Sequence, residues 1–282
     1  MIYVSTSCVK NRRIKESVKE LAINGFKNIE LSGGTEYYEN FENDLVKLKD
    51  KYNLNYRCHN YFPPPKKPFV LNLASLNDEV FQMSFKHLEE AISLSGRLGA
   101  NKYAFHAGFF INIRLDEIGK KLSRNDLFNK KKSIDRFCSA YRNLKNINNI
   151  NLYIENNVFS STNAKTYTEK KPFMMINFYE YQSLKKKIDF NLLLDVAHLK
   201  VSAKTLGLDW KAEFEKMMNV SDYIHVSDND GLHDLNHQLT KNSEIISILK
   251  KSDTQGKDFT LEVYDGMSAI KNSYDILIEA VS

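Results

Sequence analysis

Eight short runs rich in β-branched and aromatic residues alternate with longer amphipathic stretches along this chain. The predicted strands are residues 2–7, 28–32, 55–60, 102–106, 151–156, 191–195, 222–226 and 259–263. The predicted helices are residues 13–24, 40–51, 78–98, 126–147, 177–187, 209–218, 243–251 and 267–281. Parallel strands need a long crossover connection, usually a helix, so this alternation predicts a parallel sheet.

The strands themselves favour a closed sheet over an open one. Runs such as Leu152-Tyr-Ile-Glu155 and Leu192-Leu-Leu-Asp195 are almost wholly apolar, as expected for strands buried on both faces. An open doubly wound sheet is the alternative, but its GxGxxG phosphate signature is absent from the first strand–helix turn. The 282 residues match the usual size of one α/β barrel. We therefore predict an α/β fold with one domain over residues 1–282, a single (β/α)8 TIM barrel.

The charge of the chain gives little indication of a nucleic-acid partner. The net charge is +5, and its lysines are spread over helical stretches such as 47–51 and 185–187. A nucleic-acid-binding protein usually concentrates its basic residues in one stripe or patch. We therefore do not expect nucleic acid as a partner.

Membrane and export signals are also absent from the sequence. No apolar run reaches the roughly 18 residues of a transmembrane helix. The first residues, Met1-Ile-Tyr-Val-Ser-Thr-Ser7, read as a strand and not as a signal peptide. The expectation is a cytoplasmic protein without a membrane partner. The oligomeric state stays open, with a homo-oligomer among the possibilities.

Histidines and carboxylates concentrate where the predicted strands end. Four of the seven histidines lie at or just beyond strand ends: His59, His106, His198 and His225. Three acidic residues, Glu155, Asp195 and Glu262, lie at the ends of otherwise apolar strands. In a TIM barrel these ends form the active-site face.

Three buried carboxylates converging on one rim would repel each other unless a cation neutralised them. Adding His225 gives a mixed oxygen and nitrogen ligand set that suits a divalent metal such as Mn, Co or Zn, and Mg less well. The alternative for a single aspartate at a strand end is that it caps the following helix. The four residues together favour a metal site.

These residues also carry a family resemblance. The order Glu155, Asp195, His225 and Glu262 on the last four strands resembles the xylose isomerase-like barrel superfamily. That superfamily includes a sugar-phosphate isomerase/epimerase group and an apurinic-site endonuclease group. Further similar segments are Asp195-Val-Ala-His198, Phe105-His106-Ala-Gly108 and His225-Val-Ser-Asp-Asn-Asp-Gly231 with Asp234.

The two groups predict different chemistry. The endonucleases hold three zinc ions with extra ligands on the third and fourth strands, and His59 and His106 match those positions. They also have Asp-x-His in the loop after the seventh strand, whereas this chain has Asp234-Leu-Asn236-His237. The stretch Ser-Asp-Asn-Asp-Gly is more typical of the sugar group. We therefore predict sugar chemistry, with a zinc-dependent apurinic-site endonuclease as the alternative.

The resemblance implies an isomerase or epimerase of a small sugar or sugar phosphate, acting by proton transfer beside a carbonyl that the metal binds. One divalent ion is implied, Mn, Co or Mg with Zn possible, held by Glu155, Asp195, His225 and Glu262. Glu155 and Glu262 are also the implied catalytic bases. The predicted substrate-binding residues are His59, His106, His198, Asp234 and His237. A third hypothesis is a binding or regulatory barrel that keeps the ligands without turnover.

Overall fold

The computed structural model describes residues 1–147 and 149–282. Its strands are β1 (Ile2–Ser5), β2 (Asn28–Leu31), β3 (Asn55–His59), β4 (Lys102–His106), β5 (Asn151–Glu155), β6 (Asn191–Asp195), β7 (Ser221–Val226) and β8 (Asp258–Leu261). Its α-helices are α1 (Ile14–Ile23), α2 (Phe41–Tyr52), α3 (Asp78–Arg97), α4 (Lys130–Lys145), α5 (Ser161–Thr166), α6 (Phe178–Lys185), α7 (Val196–Thr205), α8 (Trp210–Met218), α9 (Glu244–Leu249) and α10 (Met267–Val281).

The eight strands form one closed barrel in chain order. Each strand pairs in parallel with the next, and β8 pairs with β1, so the sheet has no edge. The register places His106 beside Glu155 and Asp195 beside His225 on neighbouring strands. The predicted (β/α)8 TIM barrel is confirmed, and its register brings predicted site residues together.

Two layers of buried side chains follow from the alternation of residues along each strand. The large apolar cluster lies between strands and helices and includes Leu152, Ile154 and Leu194. A small separate cluster fills the barrel interior: Ala104, Tyr153, Leu193 and Tyr223. Since Glu155 is two residues beyond Tyr153, its side chain points to the same interior at the end of the barrel.

A buried charged group lies lower in the barrel. The Arg57 guanidinium is 4.1 Å from the ring centre of Tyr3 and 4.2 Å from that of Tyr223. Its Nη2 donates to Oδ2 of Asp258 at 2.6 Å. This pair satisfies the charge of an arginine whose side chain is almost fully buried.

Two helices were not expected from the sequence. α7 begins directly after β6, where a long loop was predicted, and the short α5 follows the loop after β5. All residues of α7 from Val196 to Ala203 are buried, so the helix has no alternation of polar and apolar faces to reveal it. The helix predicted over 126–147 is shorter in the structure and begins at Lys130. The side chain of Asn129 caps it by accepting a hydrogen bond from the backbone N–H of Lys132.

Among the described residues, no helix combines the length and apolar character needed to span a bilayer.

Candidate metal centre

Seven ionisable side chains gather at the carboxyl end of the barrel. They come from six strands and from the residue that follows β8: Glu30, His59, His106, Glu155, Asp195, His225 and Glu262. All of them except His106 are buried. Three overlapping groups have ligand atoms within 4.8 Å of one another: Glu30–His59–His225–Glu262, His59–His106–Glu155 and Glu155–Asp195–His225.

His225 lies at the centre of the four predicted metal ligands. Its Nδ1 is 3.7 Å from Oε1 of Glu155 and 3.6 Å from Oε2 of Glu262. This Nδ1 is buried and has no hydrogen-bond partner among the described residues. A buried nitrogen that faces two carboxylates and has no hydrogen bond is the arrangement expected of a metal-binding histidine without its ion. The residues present therefore fit a divalent cation.

Asp195 has two roles at once. Its Oδ1 accepts from the backbone N–H of His198 at 2.7 Å, which caps α7. Burial raises the pKa of Asp195 to about 7; His198 opposes this increase and Glu155 adds to it. A bound cation would favour the charged form and reverse the shift. The alternative that Asp195 caps a helix is therefore correct for Oδ1, and Oδ2 is left available to a metal.

Glu155 joins this centre to a second group. Its Oε2 lies 2.8 Å from Nε2 of His59 and 3.1 Å from Nδ1 of His106. Although burial acts in the opposite direction, His106 and His59 hold the pKa of Glu155 well below its usual range. Burial lowers the pKa of His106 to about 4, which keeps its ring neutral and able to bind a metal. These three residues have the ligand types for a further cation.

His198 lies beside Asp234 from the loop after β7. Its Nε2 is 3.3 Å from Oδ2 of Asp234, and its Nδ1 is 3.1 Å from the carbonyl oxygen of Asn156, so both ring nitrogens have a partner. Although burial disfavours the charged ring, Asp195 and Asp234 raise the pKa of His198 well above its usual value. The predicted substrate-binding residues His198 and Asp234 are thus brought together.

The loop after β7 turns His237 away from the others. Its side chain is 53% exposed and its Nδ1 lies 3.6 Å from Asp265. Asn236 instead is buried, with a left-handed backbone (φ 47°), and its Nδ2 donates to the carbonyl oxygen of Glu262 at 3.3 Å. His237 is therefore the one predicted site residue that the structure does not bring to the cluster.

A cavity of about 980 Å³ opens over the cluster. The site residues that line it are His59, His106, Glu155, His198, Asp234 and Glu262. Asp195 and His225 are buried beneath it. In the loop after β3, Tyr61 lines the cavity wall and Phe62 packs in the core; Phe109, after β4, also lines the wall.

Glu30 was missed by the sequence analysis. It lies in β2, within the four-residue run Asn28-Ile-Glu-Leu31, and is fully buried. A carboxylate inside an apolar strand was the signal that pointed to Glu155 and Asp195, and the same signal was present here.

Comparisons with known proteins agree with this geometry. A family model described as "Xylose isomerase-like TIM barrel" matches residues 18–280. A search of curated protein sequences finds no match.

Solved structures show the same fold at low sequence identity. A D-tagatose 3-epimerase-like protein is 19% identical to this chain, with a TM-score of 0.74. The match covers 99% of this chain and 96% of that protein. The 3-keto-D-glucoside 4-epimerase from E. coli is 11% identical, with a TM-score of 0.66, and the match covers 99% of this chain and 98% of that enzyme. Endonuclease IV from Thermus thermophilus is 14% identical with a TM-score of 0.61, covering 99% and 98%. The similar structures thus include both sugar epimerases and an endonuclease.

Proposed function

Because the chain belongs to the xylose isomerase-like TIM barrel family, we propose that it is a metal-dependent isomerase or epimerase of a small sugar or sugar phosphate. The observation that carries the proposal is the arrangement of Glu155 and Glu262. Both carboxylates line the cavity, and both approach Nδ1 of the buried His225. Two carboxylates beside one metal position suit proton transfer at a carbon next to a carbonyl.

Glu155, Asp195, His225 and Glu262 would hold the ion, as proposed from the sequence. Mn or Co suits this mixed oxygen and nitrogen set best, and Mg and Zn are also compatible with it. When bound, the metal polarises a substrate carbonyl and makes the neighbouring carbon-bound proton more acidic.

The protein's own groups then handle the proton. Glu155 and Glu262 are the candidate bases, because both side chains line the cavity. Neighbouring histidines hold the pKa of both below its usual range, that of Glu262 at about 2, despite burial. Both are therefore ionised at neutral pH, which is the state a proton acceptor requires, and the lowered pKa makes each of them a weaker base. His198 lines the cavity, and its Nε2 would donate to a substrate oxygen in place of Oδ2 of Asp234.

The second candidate function is hydrolysis of a phosphodiester at an abasic site in DNA. Two observations favour it: the His59–His106–Glu155 group, which has the ligand types for a second metal, and the similarity to endonuclease IV. Sites with two metal ions commonly catalyse phosphoryl transfer. Asn236 reduces the fit, because a carboxamide is a poor zinc ligand compared with histidine.

A paired assay separates the two functions. The purified, metal-loaded protein is incubated with a panel of ketoses and ketose phosphates, and new epimers or isomers are resolved by chromatography. The same preparation is incubated with a duplex that contains an abasic site. We expect conversion within the sugar panel and an intact duplex; cleavage of the duplex without sugar conversion would refute the proposal. The assay is repeated with the Glu262→Gln variant. Its matched control is Glu279→Gln, which changes an exposed carboxylate on α10.

A further inference from the structure

Glu30 is buried behind His225, on the side away from the cavity. It has no exposed surface and does not line the cavity that Glu155 and Glu262 line. The hydroxyl of Tyr223 donates to Oε2 of Glu30, and Oγ1 of Thr260 donates to the same oxygen at 2.9 Å. Its Oε1 lies 3.1 Å from Nε2 of His225. The Glu30 carboxylate is therefore fixed by groups from β7 and β8.

The two ring nitrogens of His225 face different partners. Nε2 faces the carboxylate of Glu30, whereas Nδ1 faces Glu155 and Glu262 and has no hydrogen-bond partner among the described residues. A neutral imidazole carries its proton on one nitrogen and a lone pair on the other. A carboxylate accepts a hydrogen bond and cannot donate one when ionised, so Glu30 favours the tautomer with the proton on Nε2.

We propose that Glu30 is a positioning residue for His225: its carboxylate keeps the proton on Nε2 and so directs the lone pair of Nδ1 to the metal. This inference rests on the proposed metal centre and adds a residue to it that does not touch the ion. A carboxylate behind a metal-binding histidine fixes the ring orientation and makes the ligand more basic.

The alternative is that Glu30 is itself a ligand, since it forms a close group with His59, His225 and Glu262. Three contacts argue against this role. Its Oε2 accepts from Tyr223 and Thr260 and lies 3.3 Å from Nε2 of His225. Its Oε1 has no hydrogen-bond partner among the described residues but lies 3.1 Å from the same nitrogen. A metal at Glu30 would have to displace these donors and would leave the buried Nδ1 of His225 without any partner, which is costly.

Tyr223 connects this carboxylate to the lower layer of the barrel. Its ring centre is 4.2 Å from the Arg57 guanidinium, which Asp258 holds through a hydrogen bond at 2.6 Å. The orientation of Glu30 is thus set by packed, buried groups inside the barrel and not by the loops at its mouth.

Two variants at Glu30 form a graded test. Glu30→Gln keeps a neutral acceptor of the same shape, and Glu30→Met removes the acceptor while filling a similar volume. Metal affinity is measured by competition of Zn²⁺ or Co²⁺ with a chelator, and the unfolding temperature of each metal-free variant is recorded. We expect affinity about 10- to 100-fold weaker than in the wild type, with the larger loss for Met. Glu213→Gln removes a buried carboxylate of α8, which accepts from the backbone N–H of Phe178 away from the cavity, and should leave metal affinity unchanged.

A spectroscopic readout separates positioning from ligation. In the Zn²⁺-loaded protein with ¹⁵N-labelled histidine, His225 should give a protonated Nε2 signal, assigned by its loss in His225→Ala. Glu30→Met should shift or broaden this signal by exposing the proton to exchange. X-ray absorption of the Co²⁺-loaded Glu30→Met protein, which has no oxygen at this position, should show an unchanged number of ligands. Loss of one oxygen ligand would instead make Glu30 a ligand and overturn the inference.

The outcomes also separate this inference from the proposed function. If His225→Ala keeps wild-type metal affinity, the proposed metal centre fails, and the role of Glu30 fails with it. If His225→Ala loses the metal but both Glu30 variants bind it normally, only the role of Glu30 is overturned.

Discussion

The carboxylate of Asp195 accepts a hydrogen bond from the backbone N–H of His198 at 2.7 Å, so the same side chain starts α7 and faces the metal centre. The last residue of β6 is thereby fixed in direction by the helix that follows it. A strand end with a built-in helix cap is a rigid support for a metal ligand.

This dual role predicts different effects for two substitutions. Asp195→Asn keeps an oxygen that can cap α7 and removes a buried charge, so the metal-free protein should unfold at no lower denaturant concentration than the wild type. Asp195→Ala should lose about 1 kcal/mol of stability with the cap. Both should lose tightly bound metal, measured by elemental analysis after dialysis. Normal metal content in Asp195→Asn would remove this residue from the ligand set.

The two glutamates are predicted to move protons as well as bind the ion. Glu→Gln at position 155 or 262 keeps one oxygen donor but removes the carboxylate that accepts the proton. Turnover should fall about 100-fold or more, the usual size of a lost general base, while part of the metal affinity remains. The check is steady-state kinetics at saturating metal. A variant that binds metal and turns over normally would show that its glutamate is not a base.

One tightly bound ion per chain is the expected metal content. The proposed set around Nδ1 of His225 has four residues, whereas the group of His59 and His106 shares Glu155 with that set and has no other carboxylate. Native mass spectrometry should find one ion after dialysis, and His106→Asn should leave that number unchanged. Two or three ions, reduced by His106→Asn, would favour the phosphodiester hydrolase.

A histidine outside the site predicts a pH dependence of stability. His87 on α3 is buried against Phe69, and burial lowers its pKa to about 4. Because its pKa is near 6.5 when unfolded, the unfolded chain takes up the proton first as the pH falls. Its neutral form therefore supports the fold above pH 6.5, and this contribution is lost as the pH falls from 6.5 towards 4.

The size of this effect is of the order of 3 kcal/mol when fully developed. Chemical unfolding of wild type and His87→Gln at pH 7 and pH 4.5 measures it. The stability difference between the two pH values should be smaller in His87→Gln. Equal pH dependence in the two proteins would contradict the assignment to His87.

The barrel and most residues of the candidate site could be predicted from the sequence, because strong local patterns indicate them. Apolar strands that end in Glu155 and Asp195 place a charge where burial is costly, so each strand alone marks its last residue as a candidate for the site. Neighbouring strand ends in a parallel barrel then meet at one face.

Other features depend on contacts that local patterns do not contain. α7 has almost no exposed residues and hence no amphipathic period, so it was not recognised as a helix. In the loop after β7, the left-handed backbone of Asn236 decides that Asn236 and not His237 faces the barrel. The contact of Glu30 with His225 joins residues from β2 and β7 across the barrel and required the closed structure.

The central claim is that metal-dependent proton transfer occurs at a sugar carbon beside a carbonyl, and deuterium uptake from solvent tests it most directly. The metal-loaded protein is incubated in D₂O with each ketose or ketose phosphate, and loss of the carbon-bound proton signal is followed by NMR. The account predicts deuterium incorporation into at least one sugar, abolished by a chelator, restored by Mn²⁺ or Co²⁺, and at least about 100-fold slower in Glu262→Gln. No exchange into any sugar by fully metal-loaded protein, together with cleavage of an abasic-site duplex, would contradict it.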